Sequence, residues 1–166
     1  QCCEDIALMR TIPGMVILNP SDDVEAKAAV KAAYEHVGPV YLRFGRLAVP
    51  VINDTEDYKF EIGKGIVLRE GTDLTIIATG LEVSESLEAA EMLAADGISA
   101  KVINIHTIKP LDEALVIAAA KETGKVVTVE EHSVVGGLGG AVCEVLAEKA
   151  PTKVLKIGMN DMFGES

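Results

Sequence analysis

Basic residues are scarce in this chain: 15 Lys and Arg stand against 26 Asp and Glu, for a formal net charge of −11. Such a balance repels the phosphate backbone of nucleic acids and gives anionic lipid nothing to grip, so neither partner is expected. Long apolar runs are also missing. No uninterrupted stretch approaches the roughly 20 residues that cross a bilayer, and the apolar segments are cut short by Gly, Pro or charge. Cysteine is limited to Cys2, Cys3 and Cys143. Neither a CxxC spacing nor an even disulfide set is available, which fits a reducing cytosol and a cytoplasmic protein, with Cys143 expected as a buried structural thiol. The N-terminus, QCCEDIALMR, has no basic region followed by an apolar core and does not begin with Met, so it reads as the start of a fragment or a processed chain rather than a secretory signal. Internal repeats and low-complexity segments are absent.

What is present is a hydrophobic fraction of 49% over 166 residues, enough for one core or for one domain plus part of another. The turn-rich acidic segment 49–57, with Pro50, Asn53, Asp54 and Asp57, reads as a linker between a piece covering 1–48 and a domain covering 58–166. In the first piece a helix in EDIALMR is stopped by Pro13 and Gly14, and Met15 to Leu18 suits a buried strand. Ser21 is expected to cap the next helix, with Asp22 and Asp23 in its first turn. That helix runs to about His36, and Val40 to Phe44 returns as a strand. The result is an incomplete βαβ unit. The second piece alternates: strands are predicted at Ile66 to Arg69, Leu74 to Thr79, Ser99 to Ile105, Lys125 to Glu130 and Lys153 to Ile157. Helices are predicted from Val83, from the Asp112 cap to Thr123, and from Leu138 to Lys149. The fold class expected is α/β, a mostly parallel five-stranded sheet with helices on both faces.

The residue patterns offer little independent chemistry. Gly136, Gly137, Gly139 and Gly140 form GGLGG after a strand and before a helix, but without the GxGxxG fingerprint, an acidic ribose partner or GK[ST]; a structural role in close packing is the better reading. Glu130, Glu131 and His132 sit at a strand's C-terminal end, where α/β sheets place functional groups, yet they lack HExxH spacing and a nucleophile. Capping or interface contacts suit them better. There is no GxSxG elbow for a serine hydrolase. His36 and His106 receive no catalytic task. Arg43 and Arg46 flank Phe44-Gly45 at a strand end; a guanidinium there can grip a phosphate through two N–H groups, though spacing alone gives two surface arginines.

Longer segments carry a resemblance. QCCEDIALMRTIPGMVILNPSDDVEAKAAVKAAYEHVGPVYLRFGR resembles the last third of the pyrimidine-binding domain of transketolases, and VINIHTIKPLD, KVVTVEEHSVVGGLGGAV and IGMNDMFGES resemble their C-terminal domain. The combination of PxxDxxEA, GPVYLRFGR and IKPLD is more specific than any one of them, and the bacterial transketolases encoded as two polypeptides are the most similar type. The resemblance implies an enzyme that transfers a two-carbon ketol unit between sugar phosphates, with thiamine diphosphate and Mg²⁺ in the complete enzyme. It aligns Arg46 with the family's sugar-phosphate-binding arginine and Gln1 with the residue after its substrate-contacting His. The activating glutamate, the aromatic residues that stack on the cofactor and the GDG motif have no counterpart in the chain, so no catalytic residue, no cofactor ligand and no metal ligand is expected here. The chain alone is expected to be inactive, to bind neither cofactor nor Mg²⁺, and to work with an N-terminal half or subunit. Glu131, His132, Gly136, Gly137, Gly139 and Gly140 become candidates for subunit contacts, and the incomplete sheet of residues 1–48 implies a homodimer or a mobile N-terminal segment. Deoxyxylulose phosphate synthase and the β subunit of 2-oxo acid dehydrogenases share the architecture, though LRFGR departs from the synthase's RYPRG. A noncatalytic assembly module is the alternative from another class.

Overall fold

A computed structural model describes residues 2–53 and 58–164. Gln1 and four positions of the expected linker, 54–57, lie outside the described residues. Two sheets make up the fold. The larger has the order β3-β5-β4-β7-β8 and is built from β3 (Ile66–Arg69), β4 (Leu74–Ala78), β5 (Ala100–Asn104), β7 (Lys125–Ser133) and β8 (Lys153–Met159). Its pairs are parallel except at the edge, where β3 runs antiparallel to β5. The sheet is therefore mixed, and predominantly parallel. Helix α3 (Glu82–Ala95) covers one face, where Ile76, Val102 and Ala90 pack with Leu87 and Leu93. The other face buries Ile77, Ile103 and Val126 under α4 (Glu113–Thr123) and α5 (Leu138–Lys149), through Val116, Ala120, Val142 and Leu146. Each such aliphatic side chain removed from water contributes about 1.5–3 kcal/mol.

The smaller sheet has the order β2-β1-β6. Strands β1 (Val16–Leu18) and β2 (Val40–Leu42) pair in parallel across α2 (Asp23–Glu35), completing the βαβ unit. Its third strand is a difference from the sequence reading. Thr107 to Lys109, to which no strand is assigned from the sequence, forms β6 and pairs antiparallel with β1. One edge of β1 is thus supplied by the second piece of the chain, and Ile6, Ile17 and Ile108 share a single buried cluster. Helix α1 (Asp5–Arg10) is fastened at its C-terminal end by Lys109, whose Nζ donates to the carbonyls of Arg10 and Ile12 at 2.9 and 2.7 Å. The cation also suits that end of the helix dipole.

Helix boundaries follow local chemistry in α2 and α4. Asp112 caps α4 by accepting from the Leu115 N–H, and Gly124 ends it in the left-handed region at φ 69°. At α2 the cap is Asp22 rather than Ser21: its Oδ1 accepts from Glu25 N at 2.8 Å, and its Oδ2 accepts from the N–H groups of Ile52 and Asn53 at 2.8 Å each. Burial opposes the Asp22 charge, but these backbone donors outweigh it and hold the carboxyl below its ordinary value. Cys143 also departs from expectation, being only half-buried.

His106 is 1% exposed and stacks on Phe60 with centroids 4.2 Å apart. Burial pulls its pKa below the ordinary histidine value, against a smaller opposing pull from Glu25. The folded state therefore keeps His106 neutral while the unfolded chain takes a proton below pH ~6.5, so its contribution is complete above that pH and is lost as pH falls toward the folded value. Replacing His106 with Phe should flatten the acid limb. Urea midpoints at about pH 7.5 and 5.5 should fall further for the parent than for His106→Phe, with a slope difference up to about 1.4 kcal/mol per pH unit. Equal falls would exclude His106 as the source.

Candidate functional site

The C-terminal ends of β2 and β7 meet the segment that enters α1, and between them lies an open cleft of about 800 Å³. Its walls include Cys2, Asp5, Tyr41, Arg43, Arg46 and Glu131. Position on the strand explains the two arginines. Arg43 directly follows β2 and its backbone N–H still donates to Leu18 O at 2.8 Å, whereas Arg46 lies beyond the pairing, on exposed loop.

Their environments differ accordingly. The Arg43 side chain is 11% exposed. Its Nε donates to Asp5 Oδ2 at 2.9 Å, Nη2 to the carbonyls of Glu131 at 2.8 Å and Cys2 at 3.3 Å, and Nη1 stands 3.7 Å from Glu131 Oε2. Tyr41 adds a hydroxyl donated to the same Asp5 oxygen at 2.7 Å. Burial works against the Asp5 charge, yet the Tyr41 hydroxyl and the Arg43 guanidinium outweigh it and hold the carboxyl below its usual value. The Tyr41 phenol is pushed up to about 12, first by burial and then by the Asp5 carboxylate. Arg46, by contrast, has no ion pair or side-chain hydrogen bond among the described residues and is an exposed part of the cleft lining. A guanidinium in that state keeps its planar donor edge available for an oxyanion.

The candidates for contacts between subunits occupy a seam within the chain. His132 is fully buried; its Nδ1 lies 2.8 Å from Ser133 O, so that nitrogen carries the proton and Nε2 accepts from the Ala7 N–H at 3.4 Å. Glu131 turns the other way, with its side chain 43% exposed at the cleft. The carbonyl of Gly136 accepts from Arg10 Nη1 at 2.7 Å, that of Gly137 from the same nitrogen at 3.4 Å, and a Cβ on Gly136 would meet Ala7 Cβ at 2.8 Å. Gly139 lies against Thr128 and Lys156, and Gly140 against Arg10. Gly136 and Gly140 thus let α1 come close to the start of α5, and Gly139 lets α5 lie close against β7 and β8.

Glu130 has the capping role. Helix α5 carries no side-chain cap of its own, and the buried Glu130 carboxylate accepts from Leu138 N at 2.6 Å and Gly139 N at 2.8 Å. Burial raises the carboxyl above its ordinary value, opposed by those amides. A Cβ at Gly137 would stand 2.0 Å from Glu130 Oε2 and 2.6 Å from His132 Nδ1, neither of which can swing aside without breaking a bond. Gly137→Ala should cost about 2–3 kcal/mol, read as a melting temperature lower by roughly 5–10 °C. An unchanged melting temperature would show that the cap relaxes freely.

Sequence reasoning missed Glu25. It is wholly buried at the start of α2: Oε2 accepts from the Ser21 N–H at 2.6 Å and from its hydroxyl at 2.8 Å, while Oε1 accepts from Asn104 Nδ2 at 2.9 Å and from the Tyr58 hydroxyl. These partners come from the N-terminal piece, from the segment after the linker and from β5, so one carboxylate ties both pieces together. The available signal was a glutamate at the third helical position behind Asp22, the spacing of a capping box. Here it bonds to Ser21 instead of to the cap residue. Gln1, aligned beside a substrate-contacting His, lies outside the described residues. Among those residues no three His, Cys, Asp or Glu side chains are grouped to hold a metal ion, and no helix is long and apolar enough to cross a membrane.

With this geometry in view, comparison with known proteins is specific. The model of the transketolase C-terminal domain matches residues 63–166, and that of the transketolase pyrimidine-binding domain matches residues 1–51. A protein of Methanocaldococcus jannaschii with the provisional name transketolase C-terminal section is 50% identical, over 100% of this chain and 52% of its own length. A 6-deoxy-6-sulfo-D-fructose transketolase subunit of a Clostridium species is 48% identical over 98% of this chain and 50% of its length. The chain thus spans about half the length of the curated relatives it matches. Among solved structures, one described as a split gene transketolase, inactive β4 tetramer, superposes with a TM-score of 0.94 at 50% identity, over 97% of this chain and 54% of that one.

Proposed function

The chain belongs to the transketolase family, and on that premise we propose that it furnishes the C-terminal half of a transferase moving a two-carbon ketol unit between sugar phosphates. Arg46 is its phosphate-binding residue. The observation that carries this reading is the contrast inside one cleft: Arg43 is spent on Asp5 and Glu131, while Arg46 has no partner among the described residues. A phosphate dianion suits a cationic fork that needs no prior bond broken. The division into a pyrimidine-domain remnant at 1–48, a linker at 49–57 and a C-terminal domain at 58–166 belongs to the same proposal, supported by family matches ending at 51 and beginning at 63.

Thiamine diphosphate is the group such an enzyme carries, with Mg²⁺ on its diphosphate, and when bound it supplies the carbon nucleophile. Among the described residues no three His, Cys, Asp or Glu side chains gather into a metal site, and the GDG motif of the resemblance has no counterpart in the chain. Cofactor binding is assigned to a partner carrying the N-terminal half, and this half contributes the substrate cleft and the scaffold. Self-association, proposed as a homodimer within the complete assembly, and a cytoplasmic location complete the reading. The β4 assembly of the similar split transketolase supports self-association in general.

The test is a coupled assay with xylulose 5-phosphate, ribose 5-phosphate, thiamine diphosphate and Mg²⁺. The chain alone should be silent and the chain joined by its N-terminal half active. Turnover by the chain alone, or silence from a properly assembled pair, would overturn the proposal.

A further inference from the structure

We propose that Arg43 is a positioning residue for the Arg46 cleft, holding its walls in place without touching the phosphate itself. The inference deepens the functional reading and rests on it. Three segments far apart in sequence line the cleft: the entry to α1 at Cys2 to Asp5, the end of β2, and Glu131 on β7. No sheet pairing joins the first of these to the other two; in the larger sheet β7 pairs with β4 and β8, and in the smaller β2 pairs with β1. The Arg43 guanidinium does join them. Nε holds the Asp5 carboxylate, and Nη2 holds the main-chain carbonyls of both Cys2 and Glu131. Ser133 adds a backbone bond to Cys3 O at 2.7 Å on the same side.

With these partners the planar fork of Arg43 offers no full edge to a ligand, and its side chain is as buried as the Asp5 it pairs with, at 11% and 8% exposure. The same geometry explains why two arginines three positions apart do different work. One fixes the relative placement of the walls, and the other reads the substrate. Lysine cannot replace the first, because an ammonium on a flexible stem makes one strong contact where a rigid fork makes several in fixed directions.

The experiment uses the complete enzyme, this chain with its N-terminal half, and compares xylulose 5-phosphate with unphosphorylated xylulose. Arg43→Met and the charge-retaining Arg43→Lys should lower kcat/KM for both ketoses by the same factor, roughly 10- to 100-fold, as expected when reacting groups are misplaced by a fraction of an ångström to an ångström. Arg46→Ala should lower it for the phosphorylated ketose alone. A second readout needs no turnover: the Ser133 amide, which donates to Cys3 O across the same wall, should exchange its hydrogen several-fold faster in both Arg43 variants and at the parental rate in Arg46→Ala. A selective loss for the phosphorylated ketose in Arg43→Lys would make Arg43 a phosphate ligand and overturn the proposal. Unchanged exchange at Ser133 would overturn it as well. If the assembled enzyme shows no transfer at all, the functional reading fails, while the exchange rates still decide whether Arg43 holds the cleft wall.

Discussion

Replacing Arg46 with Ala should raise the KM for a phosphorylated ketose by roughly 30- to 150-fold in the assembled enzyme, corresponding to about 2–3 kcal/mol for a charge-assisted bond to phosphate. The magnitude follows from where the side chain stands. It is exposed on the loop after β2 and has no partner among the described residues, so its removal orphans no buried group and the fold should melt as the parent does. Loss of affinity without loss of stability is the signature of a ligand contact, whereas a change in both would point to a structural arginine. Arg46→Lys should recover part of the affinity, since it restores the charge but not the two-pronged geometry. Initial rates against xylulose 5-phosphate concentration, together with a thermal melt, decide the matter. An unchanged KM would remove Arg46 from the site.

Glu25→Ala should have the opposite profile, a loss of stability of about 3–5 kcal/mol, because truncation strands several buried donors at once. The Ser21 amide and hydroxyl, the Asn104 amide group and the Tyr58 hydroxyl all lose their acceptor, in a region where Asn104 is itself wholly buried. Tyr58 carries a phenol pushed upward by burial and then by the charge of Glu25, so it stays a donor across the accessible pH range. The knot joins α2 to β5 and to the chain beyond the linker. Its loss should therefore loosen the two sheets from one another before either melts, which would appear as faster hydrogen exchange at β1 and β6 than at β4 and β7. Glu25→Gln keeps the shape and one acceptor oxygen, and should recover roughly half the loss. Chemical denaturation of the three proteins measures it. A midpoint unchanged in Glu25→Ala would mean that water satisfies these donors, and would refute the clasp.

The two residues illustrate different degrees of legibility. Arg46 could be singled out from GPVYLRFGR by resemblance, and the kinetics above test its role. Glu25 stands in a helix already capped by Asp22 with Asp23 in its first turn, and its capping-box spacing does not separate a buried acid from a solvated one. The caps divide in the same way. Asp112 with Gly124 announces α4, whereas α5 has Gly137 at its cap position and takes its capping carboxylate from Glu130, a strand residue held in place by the sheet.

By itself the sequence determined the alternation of strands and helices, because periods of 2.0 and 3.6 residues, Gly and Pro stops and most caps act within a few positions along the chain. It also determined the α/β class, since successive βα units close into a largely parallel sheet in few other ways. Tertiary structure alone decided that β6 completes the sheet of β1, that His132 and the glycine loop pack against α1, and that Arg43 rather than Arg46 is the arginine bonded to Asp5. Those outcomes depend on contacts such as Arg43 with Glu131 and Ala7 with His132, 88 and 125 positions apart. Local periodicity carries no information about partners at that distance; the competition among all buried donors and acceptors for a limited set of mates selects them.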